Sequence, residues 1–254
     1  MDLALAHQDG WDASYFKQVG LEDLLEHDAA KIGSEVKSMG EPLGRGLTQR
    51  AASELGLLPG TPVSASIIDA HAGSLGTLGA AGPSGELADF DRRIALIGGT
   101  STGHMAISRE PRFIKGVWGP YYKAVLPDFW LNEGGQSATG ALIDHVIQSH
   151  PCYTQLREQG QTQGKTIYEV LNALLREMAG DADKIAFLTR DIHMLPYFHG
   201  NRSPRANPNL TGILTGLTLS RTPEDMALHY LATIQAIALG TRHIIETMNQ
   251  TGYS

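Results

Sequence analysis

Apolar positions along the chain follow two periods, and their alternation sets the expected elements. Leu24, Leu25, Ala29 and Ile32 recur near every 3.6 residues, which predicts a helix over 21–32. A shorter helix is expected over 48–55, with Thr48 as its N-cap and Gly56 just past its end. After the turn Pro59-Gly60-Thr61-Pro62, the apolar run over 63–68 predicts a buried strand. That strand leads into Asp69, and small residues over 70–78 predict a helix. Strands are expected over 93–97 and 104–108, joined as a hairpin through a glycine-rich segment. A short apolar run over 129–133 is expected to break at Gly134-Gly135, with helices following over 136–149 and 166–178. The last helix is the best marked. Thr222-Pro223-Glu224-Asp225 has the form of a capping box with proline at the first helical position. Met226, Tyr230, Ile234, Ile237, Thr241, Ile244 and Met248 then mark one face for about seven turns. Alternating strands and helices predict an α/β fold.

Composition narrows the function. The chain has 254 residues, 42% of them hydrophobic and 19% charged, enough to bury a core. A net charge of −7 argues against a nucleic-acid-binding surface. A single cysteine, Cys152, excludes a disulfide framework and a cysteine-rich zinc site. No His-x-x-x-His or His-Glu-x-x-His pair occurs, so no metal site is expected. The first residues carry neither a basic run nor a long apolar stretch, so neither a signal peptide nor a membrane partner is expected, and the expected location is the cytoplasm. Twenty-nine glycines, well above average usage, require an explanation.

Four segments carry candidate chemistry. Asp69 follows an apolar strand, where α/β proteins place their sites, and its carboxylate can serve as a general base; the same position also suits a helix-capping aspartate. Gly98-Gly99-Thr100-Ser101-Thr102-Gly103 offers backbone amides and two hydroxyls to an anion, or else forms a tight turn. A Walker A loop is excluded because His104-Met105 stand where Lys and Ser or Thr belong, and Thr100 occupies the second glycine of a dinucleotide fingerprint. Asn132-Glu133-Gly134-Gly135-Gln136 suits a polyol, or a strand-to-helix corner. His199-Gly200-Asn201-Arg202-Ser203-Pro204 has the composition of a solvated loop.

The order of these segments resembles the FGGY family of carbohydrate kinases. Ile67-Ile68-Asp69-Ala70-His71-Ala72-Gly73 resembles the base-aspartate motif of its ribulokinase-like branch. Ile97-Gly98-Gly99-Thr100-Ser101 resembles the family's second phosphate motif, and Glu133-Gly134-Gly135-Gln136-Ser137 its sugar-side motif. Gly212-Ile213-Leu214-Thr215-Gly216-Leu217 with Asp225-Met226 fits the C-terminal signature, except that His229 stands where alanine or serine is usual. Trp11-Asp12, Gly119-Pro120-Tyr121 and the 199–204 loop match the eukaryotic members of the branch.

The resemblance implies two ribonuclease-H-like domains of the actin and hexokinase type, with 1–84 ending the first and 85–254 beginning the second. It implies ATP and Mg2+ as cofactors and a ketopentose, D-ribulose first, as substrate. Asp69 is the expected base and a substrate contact; Gly99, Thr100 and Ser101 are expected at the phosphates, with the amides of Gly99 and Thr100 as donors. Glu133 and Gln136 are expected on the sugar side, and a homodimer is one expected assembly. The family's Asp-x-Gly-Thr loop, its adenosine segment and its sugar-binding lysine find no match. The chain is thus expected to be an internal piece of a longer kinase, inactive alone. Two rivals stand beside this reading: a non-catalytic partner of a full-length kinase, and a glycoside hydrolase pairing Asp69 with Glu133.

Overall fold

A computed structural model of the chain describes residues 10–81, 85 and 89–253. By contacts the chain divides into two units. One comprises Met1–Arg93, Ala106–Arg112 and Gly119–Asn132; the other comprises Ile94–Met105, Phe113–Trp118 and Glu133–Ser254. The boundary expected between 84 and 85 falls where, apart from Gly85, residues 82–88 lie outside the described residues.

In the first unit, α1 (Ala13–Gln18) starts at Asp12, whose carboxylate accepts from the amides of Ser14 and Tyr15. The helix expected over 21–32 does not form. Glu22–Leu25 is a 3₁₀ turn and Glu26–Ala29 (α2) is broken by positive φ at His27 and Asp28. Only Ala29 of this stretch is buried. Isolated helices of that length are marginal in water, and Leu24, Leu25 and Ile32 of the expected apolar face are only partly buried. The next helix, α3 (Gln49–Leu55), forms as expected: Thr48 Oγ1 accepts from the Ala51 amide and Gly56 closes it in the left-handed region.

Residues 63–68 are extended but not a buried strand. Their pairing is one bridge, Pro42 to Ser64, with the amides of Leu43 and Ala65 bonded across to Val63 and Glu41. Ile68 is exposed. A regular strand needs a ladder on its flank, and among the described residues the segment alongside is 40–43, with the Gly40 amide also donating to Ala65 O. The following α4 (Asp69–Leu78) is tied down by buried His71, whose Nδ1 lies 2.9 Å from the Ala124 carbonyl.

The main sheet has the order β1-β2-β4-β3, from β1 (Ala95–Gly98), β2 (Thr102–Ser108), β3 (Trp118–Tyr122) and β4 (Trp130–Gln136). The expected hairpin is present: β1 and β2 pair antiparallel, with Gly98 opposite Thr102. Gly134 and Gly135 lie inside β4 rather than ending it. A Cβ at Gly134 would stand 2.7 Å from Ile244 Cγ2, and one at Gly135 would stand 2.9 Å from Arg202 Cδ. The glycine pair therefore lets a helix and a loop close onto the strand.

In the second unit, α5 (Gly140–Gln148), α6 (Tyr153–Thr162), α7 (Ile167–Ala179) and α8 (Pro223–Asn249) enclose the core, with a small β5 (His193–Leu195) and β6 (Ile213–Thr215) ribbon. Ile147, Leu156, Leu171, Leu175, Met226, Tyr230 and Leu231 form the main cluster. α8 runs for 27 residues, and Met226, Tyr230, Ile244 and Met248 of its expected apolar face are buried. The α/β class read from the chain holds.

His104 on β2 is completely buried, and its Nε2 lies 2.9 Å from Thr241 Oγ1 on α8. Burial pushes the imidazole down to about 4 from its ordinary 6.5. Between those values only the unfolded chain takes up the proton, so stability falls as pH drops through that window. At pH 5 the expected loss is about 2 kcal/mol relative to pH 7. Urea midpoints at the two pH values should show it, and His104→Gln should flatten the dependence by that amount. An unchanged slope in the variant would refute the assignment.

Candidate functional site

Asp69 belongs to the first unit. It is the first residue of α4 rather than its N-cap, a position held by Ile68. Its Oδ1 accepts from the Ala70 amide at 2.7 Å, and the residue is exposed. A carboxylate there is favoured by the positive end of the helix dipole. The side chain is thus oriented by its own helix and open to a ligand.

The other candidates lie in the second unit. Gly98–Ser101 form the β1–β2 turn. The Gly99 amide donates to the Ser101 carbonyl at 2.8 Å, which removes it from the expected set of phosphate donors. What Gly99 contributes is the turn itself. On its other side the turn is clamped by α5: the Thr139 and Ala141 amides donate to Thr100 O at 2.9 and 3.3 Å, and the Gly140 amide donates to Gly99 O at 3.0 Å. These bonds satisfy donors that a helix start otherwise leaves open. The exposed Thr100 and the half-buried Ser101 remain as the hydroxyl-bearing residues of the turn. Thr100 lines a cleft of about 340 Å³ with Ser137, Ala138, His145, Phe198 and His199.

Glu133 and Gln136 both lie on β4, at odds with the expected corner. Glu133 is half-buried, its Oε1 3.8 Å from where a Cβ on Gly103 would sit. The Gln136 amide is committed to α8: Nε2 donates to Ile237 O and Thr241 Oγ1, each at 3.0 Å. Gly240 makes room for it, since a Cβ there would meet Gln136 Oε1 at 2.5 Å. Gln136 therefore fixes the end of β4 against the long helix.

The 199–204 loop is only partly solvated. Asn201 and Ser203 are buried. The Ser203 amide donates to Gly135 O at 3.2 Å, and Asn201 braces the loop through Asn207 O and the Arg205 amide. Arg202 lies over the Trp118 indole, 5.2 Å from the ring centroid. Trp118, Ser137, His199, Asn201 and Arg202 line a second cleft of about 290 Å³. The sequence signal for this arrangement was the glycine at 135, which leaves space for the arginine stem.

One side-chain cluster was invisible to a search for paired histidines. His150 Nε2 lies 3.2 Å from Asp225 Oδ2, and His229 Nε2 lies 3.9 Å from the same oxygen. The Cys152 amide donates to His150 Nδ1 at 3.2 Å. That fixes the proton on Nε2, facing Asp225, so the group is a hydrogen-bonded brace at the start of α8 rather than a ready ligand set. Burial, despite the nearby Asp225, holds His229 below the usual histidine range.

Among the described residues no helix is long and apolar enough to cross a membrane. Residues 94–254 match the model of the FGGY family of carbohydrate kinases, C-terminal domain. The FGGY carbohydrate kinase domain-containing protein of Xenopus laevis is 52% identical over 248 residues, spanning 96% of this chain and 45% of that protein. A D-ribulokinase of Saccharomyces cerevisiae is 35% identical over 263 residues, spanning 96% of this chain and 37% of that one. Among solved structures, xylulose kinase from Rhodospirillum rubrum superposes with a TM-score of 0.60 at 22% identity, over 93% of this chain and 41% of that one. The likeness to that structure is one of fold. The chain spans less than half the length of these relatives.

Proposed function

The chain belongs to the FGGY family of carbohydrate kinases, and on that premise we propose that the protein carrying it transfers the γ-phosphate of ATP to a primary hydroxyl of a ketopentose, D-ribulose first. The observation that carries the substrate class is the 35% identity to a D-ribulokinase across 96% of this chain. The apolar run ending in Asp69, the glycine turn with Thr100 and the Glu133–Gln136 strand keep the order that the family's chemistry uses.

In this mechanism Asp69 accepts the proton of the sugar hydroxyl while its oxygen attacks the γ-phosphorus. The bond from phosphorus to the bridging oxygen breaks, and ADP leaves. Phosphoryl transfer depends mainly on positioning and charge neutralisation, so few side chains take part in bond chemistry. Thr100 and Ser101 supply hydroxyls for phosphate oxygens, and Gly99 shapes the turn that presents them. A magnesium ion, when bound with the nucleotide, would supply neutralisation of phosphate charge. Glu133 contacts the sugar side, and Gln136 positions the end of its strand.

The test is sugar-dependent ADP release by the complete protein with D-ribulose, L-ribulose, D-xylulose and glycerol. D-Ribulose should give the highest kcat/KM. No turnover with any ketopentose would overturn the proposal. The phosphate turn has its own test. A methyl at Gly140 would sit 2.5 Å from Gly99 O, so Gly140→Ala must push the turn off α5. KM for ATP should rise about tenfold, the equivalent of about 1.4 kcal/mol, with KM for the sugar unchanged. A KM for ATP within twofold of wild type would remove the turn from the nucleotide site.

A further inference from the structure

The structure assigns Arg202 a binding role: we propose that its guanidinium holds a phosphate group of the nucleotide in the cleft between Trp118 and His199. The inference rests on the kinase reading above and adds a residue to it. Among the described residues Arg202 has no carboxylate partner, although the chain carries an excess of acids. A half-buried arginine normally acquires one, because its charge is costly to desolvate.

Here three other features hold the side chain. The Trp118 ring lies under the guanidinium, 5.2 Å away. Gly135 leaves room for the stem, since a Cβ there would meet Arg202 Cδ at 2.9 Å and Nη1 at 3.3 Å. The backbone on its C-terminal side is pinned by the Ser203 amide on Gly135 O, and the loop is braced by the two bonds between Asn201 and Asn207. The guanidinium is therefore pre-oriented, with its hydrogen-bonding edge left for a ligand.

That ligand is an anion with several acceptor oxygens. Arg202 lines a cleft with Ser137, His199 and Asn201, all donors or neutral groups. Ser137 and His199 also line the cleft that holds Thr100. The nearest acid along β4 is Glu133, two residues before Gly135 and on the same face of the strand. Its carboxylate suits a hydroxyl-bearing ligand, whereas the guanidinium fork suits phosphate. The two clefts share Ser137 and His199, so a phosphate at Arg202 lies in the same polar region as the Thr100 turn.

The test compares wild type with Arg202→Met, which keeps an apolar stem against Gly135, and Arg202→Lys, which keeps the charge without the fork. Steady-state kinetics of the complete protein are read together with calorimetric titration of pyrophosphate and of D-ribulose 5-phosphate. Arg202→Met should weaken pyrophosphate and raise KM for ATP by about 10- to 100-fold, with KM for D-ribulose within twofold. Arg202→Lys should recover only part of the loss. ATP kinetics and pyrophosphate affinity within twofold of wild type in an active Arg202→Met enzyme would overturn the proposal. Loss of affinity for D-ribulose 5-phosphate alone would move the residue to the sugar phosphate and overturn it as well. A wild type that binds pyrophosphate through Arg202 but phosphorylates no sugar would refute the kinase reading and leave the anion site standing.

Discussion

Replacing Asp69 with asparagine should lower turnover of the complete kinase by about 10²–10⁴-fold, the usual contribution of a general base. That corresponds to about 2.7–5.5 kcal/mol of barrier. The substitution is close to isosteric, and the amide oxygen of asparagine can still accept the Ala70 amide that Asp69 Oδ1 holds at 2.7 Å. Asp69 is exposed at the first position of α4, so folding should change by no more than about 0.5 kcal/mol. What disappears is the ability to take a proton. The loss should therefore fall on kcat and kcat/KM together, with KM for ATP and sugar little altered. Turnover within threefold of wild type would remove Asp69 from catalysis. A large drop in thermal stability would instead give the residue a structural role at the helix start.

The parts of the fold that could be foreseen are those whose signals are local. Thr48 and Gly56 bracket α3, and Thr222-Pro223 opens α8, because capping and proline geometry act within one turn. The hairpin around Gly98–Thr102 was legible for the same reason. Three features were not. Gly134-Gly135 resembles a break, yet it is strand interior, because Ile244 and Arg202 demand the missing side chains from distant parts of the chain. The 199–204 loop is polar in composition, yet Asn201 and Ser203 are buried, since their partners come from β4, Arg205 and Asn207. The periodic run over 21–32 had the right spacing for a helix, but it is broken by positive φ at His27 and Asp28 and buries only Ala29 fully. At the candidate site, residue types were legible and their roles only partly so. Gln136 looks like a sugar contact in sequence, but its amide is bonded to α8.

The contact between β4 and α8 is where packing and the candidate site meet, and it sets the second large effect. Ile244 is fully buried against Gly134, with its Cγ2 2.7 Å from where a Cβ would be built. Gly134→Ala must therefore displace either the strand that carries Glu133 and Gln136 or the helix that receives the Gln136 amide. Overpacking of this kind costs about 1–3 kcal/mol. Ile244→Ala removes the opposing methyls and leaves a cavity, at a cost of about 2–5 kcal/mol. The two changes are complementary in shape, because the methyl added at 134 enters the space vacated at 244. The double variant should thus be less destabilised than the sum of the singles by at least about 1 kcal/mol. Urea denaturation of the four proteins measures this directly, provided m-values stay constant. Strict additivity would mean that strand and helix do not touch at this point. Coupling accompanied by recovery of kcat/KM in the double variant would tie the seating of α8 on β4 to the placement of Glu133.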